Sequence, residues 1–156
     1  MIVETEAYAP DDTASHSYGG RSRRNATMFG PPARLYVYRS YGIHWCANVV
    51  CANENVGAAV LLRALKPTDG LERMRTRRRV DDPRLLCAGP GRLAQALGLT
   101  GEHDGLRLDR PPFVLSPGSG VKVVAGTRVG ITRGVDRPWR YALSGSSYVS
   151  RPRLRA

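Results

Sequence analysis

The run Ile2-Val3-Glu4-Thr5-Glu6-Ala7-Tyr8 constrains the fold most, because it opens the chain with the alternation of a β-strand. Side chains alternate faces along a strand, so Glu4, Glu6 and Tyr8 are expected on one side and Val3, Thr5 and Ala7 on the other. One rigid face would then carry two carboxylates and an aromatic ring. That is a way to hold a flat ligand beside an ionisable group.

Further strands follow. In residues 34–39, Leu35 and Val37 alternate with Tyr36 and Tyr38. Ser40-Tyr41-Gly42 reads as a tight turn and residues 43–51 as the returning strand, so 34–51 is one hairpin. Residues 58–65 form a third apolar strand, and 106–115, 121–131 and 140–143 are strand-like. Residues 10–17 begin with a proline and acidic residues, the pattern of the first turn of a short helix. Residues 18–33 read as a long loop. Asp69 and Glu72 have capping-box spacing ahead of a helix that carries Arg73, Arg75, Arg77, Arg78 and Arg79. A second helix runs from Gly89-Pro90 to Gly98, and its N-terminus beside Arg92 offers free N–H groups to a phosphate. The basic tail 151–155 is expected to fray. Strands in runs, with a few helices between them, predict a single α+β domain on a mainly antiparallel sheet.

The chain has 156 residues, enough for one domain with a core. No stretch approaches the roughly 20 apolar residues of a membrane span. Acidic residues stand where a secretory signal would be basic, so a cytoplasmic protein is expected, nucleoid-associated if bacterial. Cys46, Cys51 and Cys87 are too few and too far apart for a disulfide framework and read as reduced and mostly buried. There is no HxE, CxxC, HExxH or Walker A sequence, which argues against zinc and nucleotide chemistry; no metal or cofactor is expected. The formal net charge is +11, and of the 24 basic residues only Lys66 and Lys122 are lysines. A GC-rich genome explains the preference for arginine but not the net charge. The surplus favours a polyanion partner.

Within this frame Glu6 is the best candidate for a general base, able to deprotonate water for attack on a glycosidic carbon. Its plainer alternative is an exposed strand carboxylate paired with an arginine. Arg63 ends the apolar run Val60-Leu61-Leu62 and needs an acidic partner, for structure or for catalysis. His16 either serves a site or lies on the surface. Tyr36 is equally well explained as core. Tyr41, a large aromatic on a tight turn, should be exposed and could act as a wedge that unstacks bases.

Glu4-Thr5-Glu6-Ala7-Tyr8, His16, Arg24-Asn25, Met28-Phe29, Leu35-Tyr36-Val37-Tyr38, Tyr41-Gly42, Cys46, Asn48 and Leu61-Leu62-Arg63-Ala64 together resemble the 3-methyladenine (alkyladenine) DNA glycosylase family. Gly70-Leu71-Glu72, Leu86-Cys87-Ala88-Gly89-Pro90, Arg128-Val129-Gly130 and Gly145-Ser146 continue the resemblance in order. It implies a curved, barrel-like sheet with flanking helices. It implies a monofunctional, cofactor-free, monomeric enzyme. Such an enzyme flips alkylated or deaminated purines out of double-stranded DNA, hydrolyses the N-glycosidic bond and leaves an abasic site. Glu6 would be the base, aided by Arg63 and the carbonyl of Val129. Tyr8 and Tyr38 would sandwich the base, His16 would hydrogen-bond its edge, and Asn48 would crowd guanine's exocyclic amine. Tyr41 would fill the gap in the duplex. The family carries further strand-forming sequence ahead of the segment matched by Ile2, so the resemblance also implies missing N-terminal strands. The alternatives are a catalytically silent nucleic-acid-binding domain and an RNA-binding or ribosome-associated module.

Overall fold

Six antiparallel strands form one sheet in the computed structural model, which describes residues 1–118 and 120–154. They are β1 (Ile2–Tyr8), β2 (Leu35–Ser40), β3 (His44–Val50), β4 (Ala59–Leu65), β7 (Val123–Gly126) and β8 (Arg140–Leu143), in the order β2-β3-β4-β1-β8-β7. The sheet is open: β2 and β7 are its edges, and it does not close into a barrel. The short strands β5 (Asp109–Arg110) and β6 (Phe113–Val114) pair separately. Three helices, α1 (Leu71–Arg78), α2 (Pro83–Leu86) and α3 (Pro90–Leu97), complete the α+β domain. No helix of the described residues is long and apolar enough to cross a membrane.

The opening strand lies in the interior of the sheet. β1 pairs with β4 through Glu6 opposite Leu61 and Tyr8 opposite Ala59, and with β8 through Glu4 opposite Ala142. The register with β4 slips on either side of Glu4, so the strict alternation expected of β1 is broken by a bulge. The β2–β3 hairpin keeps its alternation. Leu35, Val37 and Ala47 face a core completed by Leu86, Leu93, Ala94 and Ala96. Tyr36 and Tyr38 face the opposite way, toward Met28, Phe29 and Tyr8. Helices therefore seal one face of the sheet near its β2–β3 end and leave aromatic residues on the other.

Helix α3 follows its sequence signals. Pro90 stands in its first turn and Gly98 caps it in the left-handed region at φ 70°. Helix α1 departs from them. Its cap is Gly70, not Asp69, and Gly70 lies at φ 68° with no side-chain cap. Glu72 pairs with Arg75 instead of closing a capping box. With no buried residue of its own, α1 is fastened by arginines: Arg77 donates to the Ala96 carbonyl and Arg78 to the Leu86 carbonyl and to Gln95. The sequence reading passed over α2, whose signal is Asp82 capping the N–H of Arg84 ahead of Pro83.

Other expectations are corrected. Residues 10–17 form a series of turns and no helix, because the Asp12 carboxylate and Ser15 hydroxyl bond the N–H groups of Ala14 and Ser17 locally. The expected strand 106–115 shrinks to β5 and β6 around Pro111-Pro112, which donate no N–H. The run 121–131 shrinks to β7. The tail is held as far as Leu154: Arg140 donates to the Pro152 carbonyl at 2.7 Å, and Leu154 packs against the core around Val3. Arg155 lies outside the described residues.

Leu93 is fully buried where α3 meets the sheet. Leu93→Ala should lower stability by about 2–5 kcal/mol in urea unfolding. A loss within about 0.5 kcal/mol, the usual effect of a surface substitution, would mean that α3 is not seated on β3 and β4.

Candidate active site

The two carboxylates of β1 enter one buried cluster. Glu4 accepts hydrogen bonds from Arg63 Nε at 3.1 Å, Arg140 Nε at 2.7 Å, the Ser150 hydroxyl at 2.8 Å and the Ser150 N–H at 2.5 Å. Arg63 reaches on to Glu6, with Nη1 3.2 Å from Oε1. The same Oε1 accepts from the Val129 N–H at 2.8 Å, and Oε2 accepts from the Tyr8 hydroxyl at 3.0 Å. Two anions and two cations thus share a dry volume. Their mutual attraction and the neutral donors offset a desolvation cost of several kcal/mol per ion.

Glu6 is fully buried, so it is not the exposed strand carboxylate of the plainer reading. The Val129 N–H holds Glu6 directly, a contact additional to the role expected of the Val129 carbonyl toward the water. The four bonds to Glu4 fit a structural role. Burial pushes the Glu4 carboxyl up, but Ser150 and Arg140 outweigh it and hold it below its ordinary value.

A cleft of about 830 Å³ opens in front of this cluster. Tyr8, His16, Tyr38, Asn48, Arg63 and Val129 all line it, and Tyr41 stands at the same opening. Glu6 lies behind that wall, with Tyr8, Arg63 and Val129 between it and the space. Tyr38 packs edge-on to His16, with ring centroids 4.4 Å apart, and lies 5.5 Å from Tyr36. His16 Nδ1 is 2.9 Å from the Tyr36 hydroxyl. His16 is exposed to the cleft, and local desolvation, reinforced by Arg24, lowers its pKa, which favours the neutral ring. Burial pushes the Tyr36 hydroxyl up to about 12 and raises that of Tyr38 as well. Tyr8 is raised by burial and by the adjacent Glu6 charge. The aromatic wall is therefore uncharged. Asn48 is fixed by a 3.1 Å bond from Nδ2 to the Tyr36 carbonyl, which orients its amide.

Tyr41 is 83% exposed, as its turn position implied. Tyr41 and Gly42 both have positive φ, 49° and 68°, and the Ile43 N–H closes the turn on the Ser40 carbonyl at 2.9 Å. A left-handed tyrosine costs about 1–2 kcal/mol relative to glycine. The chain holds a large ring out in solvent at the tip of a rigid hairpin.

Sequence reasoning missed two arginines. Arg140 opens an otherwise apolar strand, the same signal that singled out Arg63. Arg128 forms a bidentate pair with Asp12, both fully buried, and donates to the carbonyls of Ala7 and Gly134. The Arg128 guanidinium lies over Tyr8 at 4.7 Å and near Trp139 at 5.5 Å. The local pattern of residues 10–17 reads as a helix start, which claims Asp12 and hides its partner. Among the described residues no three His, Cys, Asp or Glu side chains come together as a metal site.

An open antiparallel sheet that places a buried acid behind an aromatic cleft, on a strongly basic chain, has the features of an enzyme that acts on a base of a nucleic acid. Residues 1–147 match the family described as methylpurine-DNA glycosylase (MPG), and the chain belongs to that family. It is a DNA glycosylase of base-excision repair, acting on DNA to remove alkylated bases. Similar proteins provisionally named 3-methyladenine DNA glycosylase occur in several bacteria. One from Rhodopseudomonas palustris strain BisB18 is 59% identical over 97% of this chain and 76% of its own length. One from Nitrosospira multiformis is 57% identical over 97% and 79%, and one from Rhizobium meliloti 56% over 96% and 80%.

The lowered pKa of Glu4, with that of Asp12, fixes the sign of an acid limb. For Asp12, burial opposes the shift and the Arg128 hydrogen bond overcomes it. The unfolded chain binds these protons more tightly. Their stabilisation is therefore complete above the ordinary carboxyl values of 4.5 and 3.8 and is lost as pH falls through the depressed ones. Glu4→Gln should cost about 3–5 kcal/mol near neutral pH and flatten this acid limb in urea unfolding. Parallel acid limbs in variant and wild type would contradict the assignment.

Proposed function

We propose that this glycosylase extrudes an alkylated or deaminated purine from duplex DNA and hydrolyses its N-glycosidic bond, leaving an abasic site. The observation that carries the reading is Glu6. It is a buried carboxylate gripped by Arg63 and the Val129 N–H, one residue layer behind a cleft walled by tyrosines. Fixed donors on Oε1 leave Oε2, with its single Tyr8 partner, as the atom to take a proton from water. The water oxygen attacks C1′ as the bond to the purine breaks. The bonding electrons leave with the base and the proton goes to Glu6.

Recognition follows from the wall. The extruded base stacks between Tyr8 and Tyr38, where a cationic alkylated purine gains roughly 0.5–2 kcal/mol per aromatic contact. His16, neutral and steered by Tyr36, makes a hydrogen bond to the base edge. Asn48, held by the Tyr36 carbonyl, stands where guanine's exocyclic amine would go and disfavours undamaged guanine. Tyr41 enters the duplex as the base leaves, offsetting the few kcal/mol of unstacking. All these groups come from one chain, which supports a monomer. Neither lysine, Lys66 nor Lys122, lines the cleft, which favours hydrolysis over a Schiff-base route.

Duplexes that carry one 3-methyladenine analogue or one hypoxanthine test the reading directly. Free base and an abasic strand are the expected products. An intact strand in both cases contradicts it. Tyr41→Ala should reduce extrusion, read from a fluorescent base analogue beside the lesion, more than it reduces binding to undamaged duplex. Equal loss in both would remove the wedge.

A further inference from the structure

The Asp12–Arg128 pair has no task in this scheme, yet it touches two of its parts. Arg128 donates to the Ala7 carbonyl beside Tyr8, and its neighbour Val129 supplies the N–H that holds Glu6. The guanidinium lies over the Tyr8 ring at 4.7 Å; Tyr8 lines the cleft and Arg128 does not. The ring therefore stands between a permanent cation and the space proposed for the base. Arg128 Nε finds no hydrogen-bond partner among the described residues, which leaves it to the aromatic faces of Tyr8 and Trp139. Gly134 closes the arrangement: a side chain there would meet the Asp12 carboxylate at 2.6 Å and Arg128 at 3.0 Å.

We infer that Arg128 is a positioning and specificity-determining residue whose cation, held behind Tyr8, favours release of neutral purine lesions over cationic ones. The inference rests on the proposal that the extruded base stacks on Tyr8. When the glycosidic bond breaks, its electron pair goes to the base. A neutral purine departs as an anion, and an alkylated cationic purine departs neutral. The base gains the same negative charge in both cases, so a nearby cation speeds bond breakage for both. Binding differs. The cation repels an alkylated base in the ground state and is indifferent to a neutral one. From free substrate to transition state, only the neutral lesion gains. The Tyr8 hydroxyl registers the same field: burial and Glu6 raise its pKa, and Arg128 pulls it down. The hydrogen bond to Asp12, which raises the Arg128 pKa, keeps the guanidinium charged.

Single-turnover release from duplexes carrying hypoxanthine (neutral) or 3-methyladenine (cationic) tests this with wild type, Arg128→Met and Arg128→Lys. The Met variant should release both bases more slowly at saturation and half-saturate at lower concentration on the cationic lesion only. Its neutral-to-cationic ratio of kcat/KM should fall roughly three- to tenfold, the scale of one screened charge across a ring. The Lys variant keeps the charge and loses the fork to Asp12, so its ratio should stay near wild type even if both rates fall. Equal loss on both lesions in the Met variant overturns the proposal and leaves Arg128 purely structural. Should that variant fail to fold, Asp12→Asn decides. It removes the counter-charge and should raise the ratio; a fall overturns the proposal. A wild type that releases neither lesion overturns the base-release reading itself, an outcome distinct from an unchanged ratio.

Discussion

Glu4 and Glu6 lie two residues apart on an inner strand, both out of contact with water, and Arg63 bonds both. Two carboxylates so close would repel one another and protonate if left alone in a dry interior. Arg63 from β4, Arg140 from β8 and Ser150 from the C-terminal segment answer that charge. The same contacts tie three neighbouring strands to the end of the chain. Removing one partner of such a cluster strands a buried charge, which costs about 3–5 kcal/mol. The orientation of Glu6, and with it the proposed chemistry, depends on this network.

The sheet divides labour between its faces. Over β3 and β4 one face is closed by α3, whose apolar residues share one core with Leu35 and Val37. The other carries Tyr36 and Tyr38 beside Tyr8, with a cleft in front of them. Strand alternation in one hairpin thus supplies both the packing that makes the platform rigid and the aromatic wall it presents. The surplus of arginine is also divided. Arg63, Arg128 and Arg140 are buried in ion pairs, and Arg77 and Arg78 pin α1 to its neighbours. Net charge overstates the number of cations available to DNA phosphates.

Much of this was legible in the sequence where local pattern and tertiary role coincide. The β2–β3 hairpin, the apolar strand β4, α3 with its Pro90 and Gly98, and the exposed Tyr41 follow from alternation and turn chemistry. The partners of Arg63 were legible only as a need: a charge at the end of an apolar run requires an acid, but not a particular one. Asp12–Arg128 was not legible, because its members stand 116 residues apart and a stronger local reading claimed Asp12 for a helix terminus. Pro111-Pro112, and the capture of Arg128 by Asp12 and of the Val129 N–H by Glu6, cut strands that β-propensity alone would have extended. The bulge at Glu4 lies below the resolution of a period-2 pattern. It is a one-residue slip that only strand pairing reveals.

The proposed chemistry turns on Glu6, held by Arg63 and Val129, as the group that activates the water. Single-turnover release by Glu6→Gln, with lesion-DNA binding measured in parallel, tests it most directly. Release should fall by about 10²–10⁴-fold or more while binding persists, since glutamine keeps the shape and loses the basicity. Release at the wild-type rate by the folded variant would contradict it.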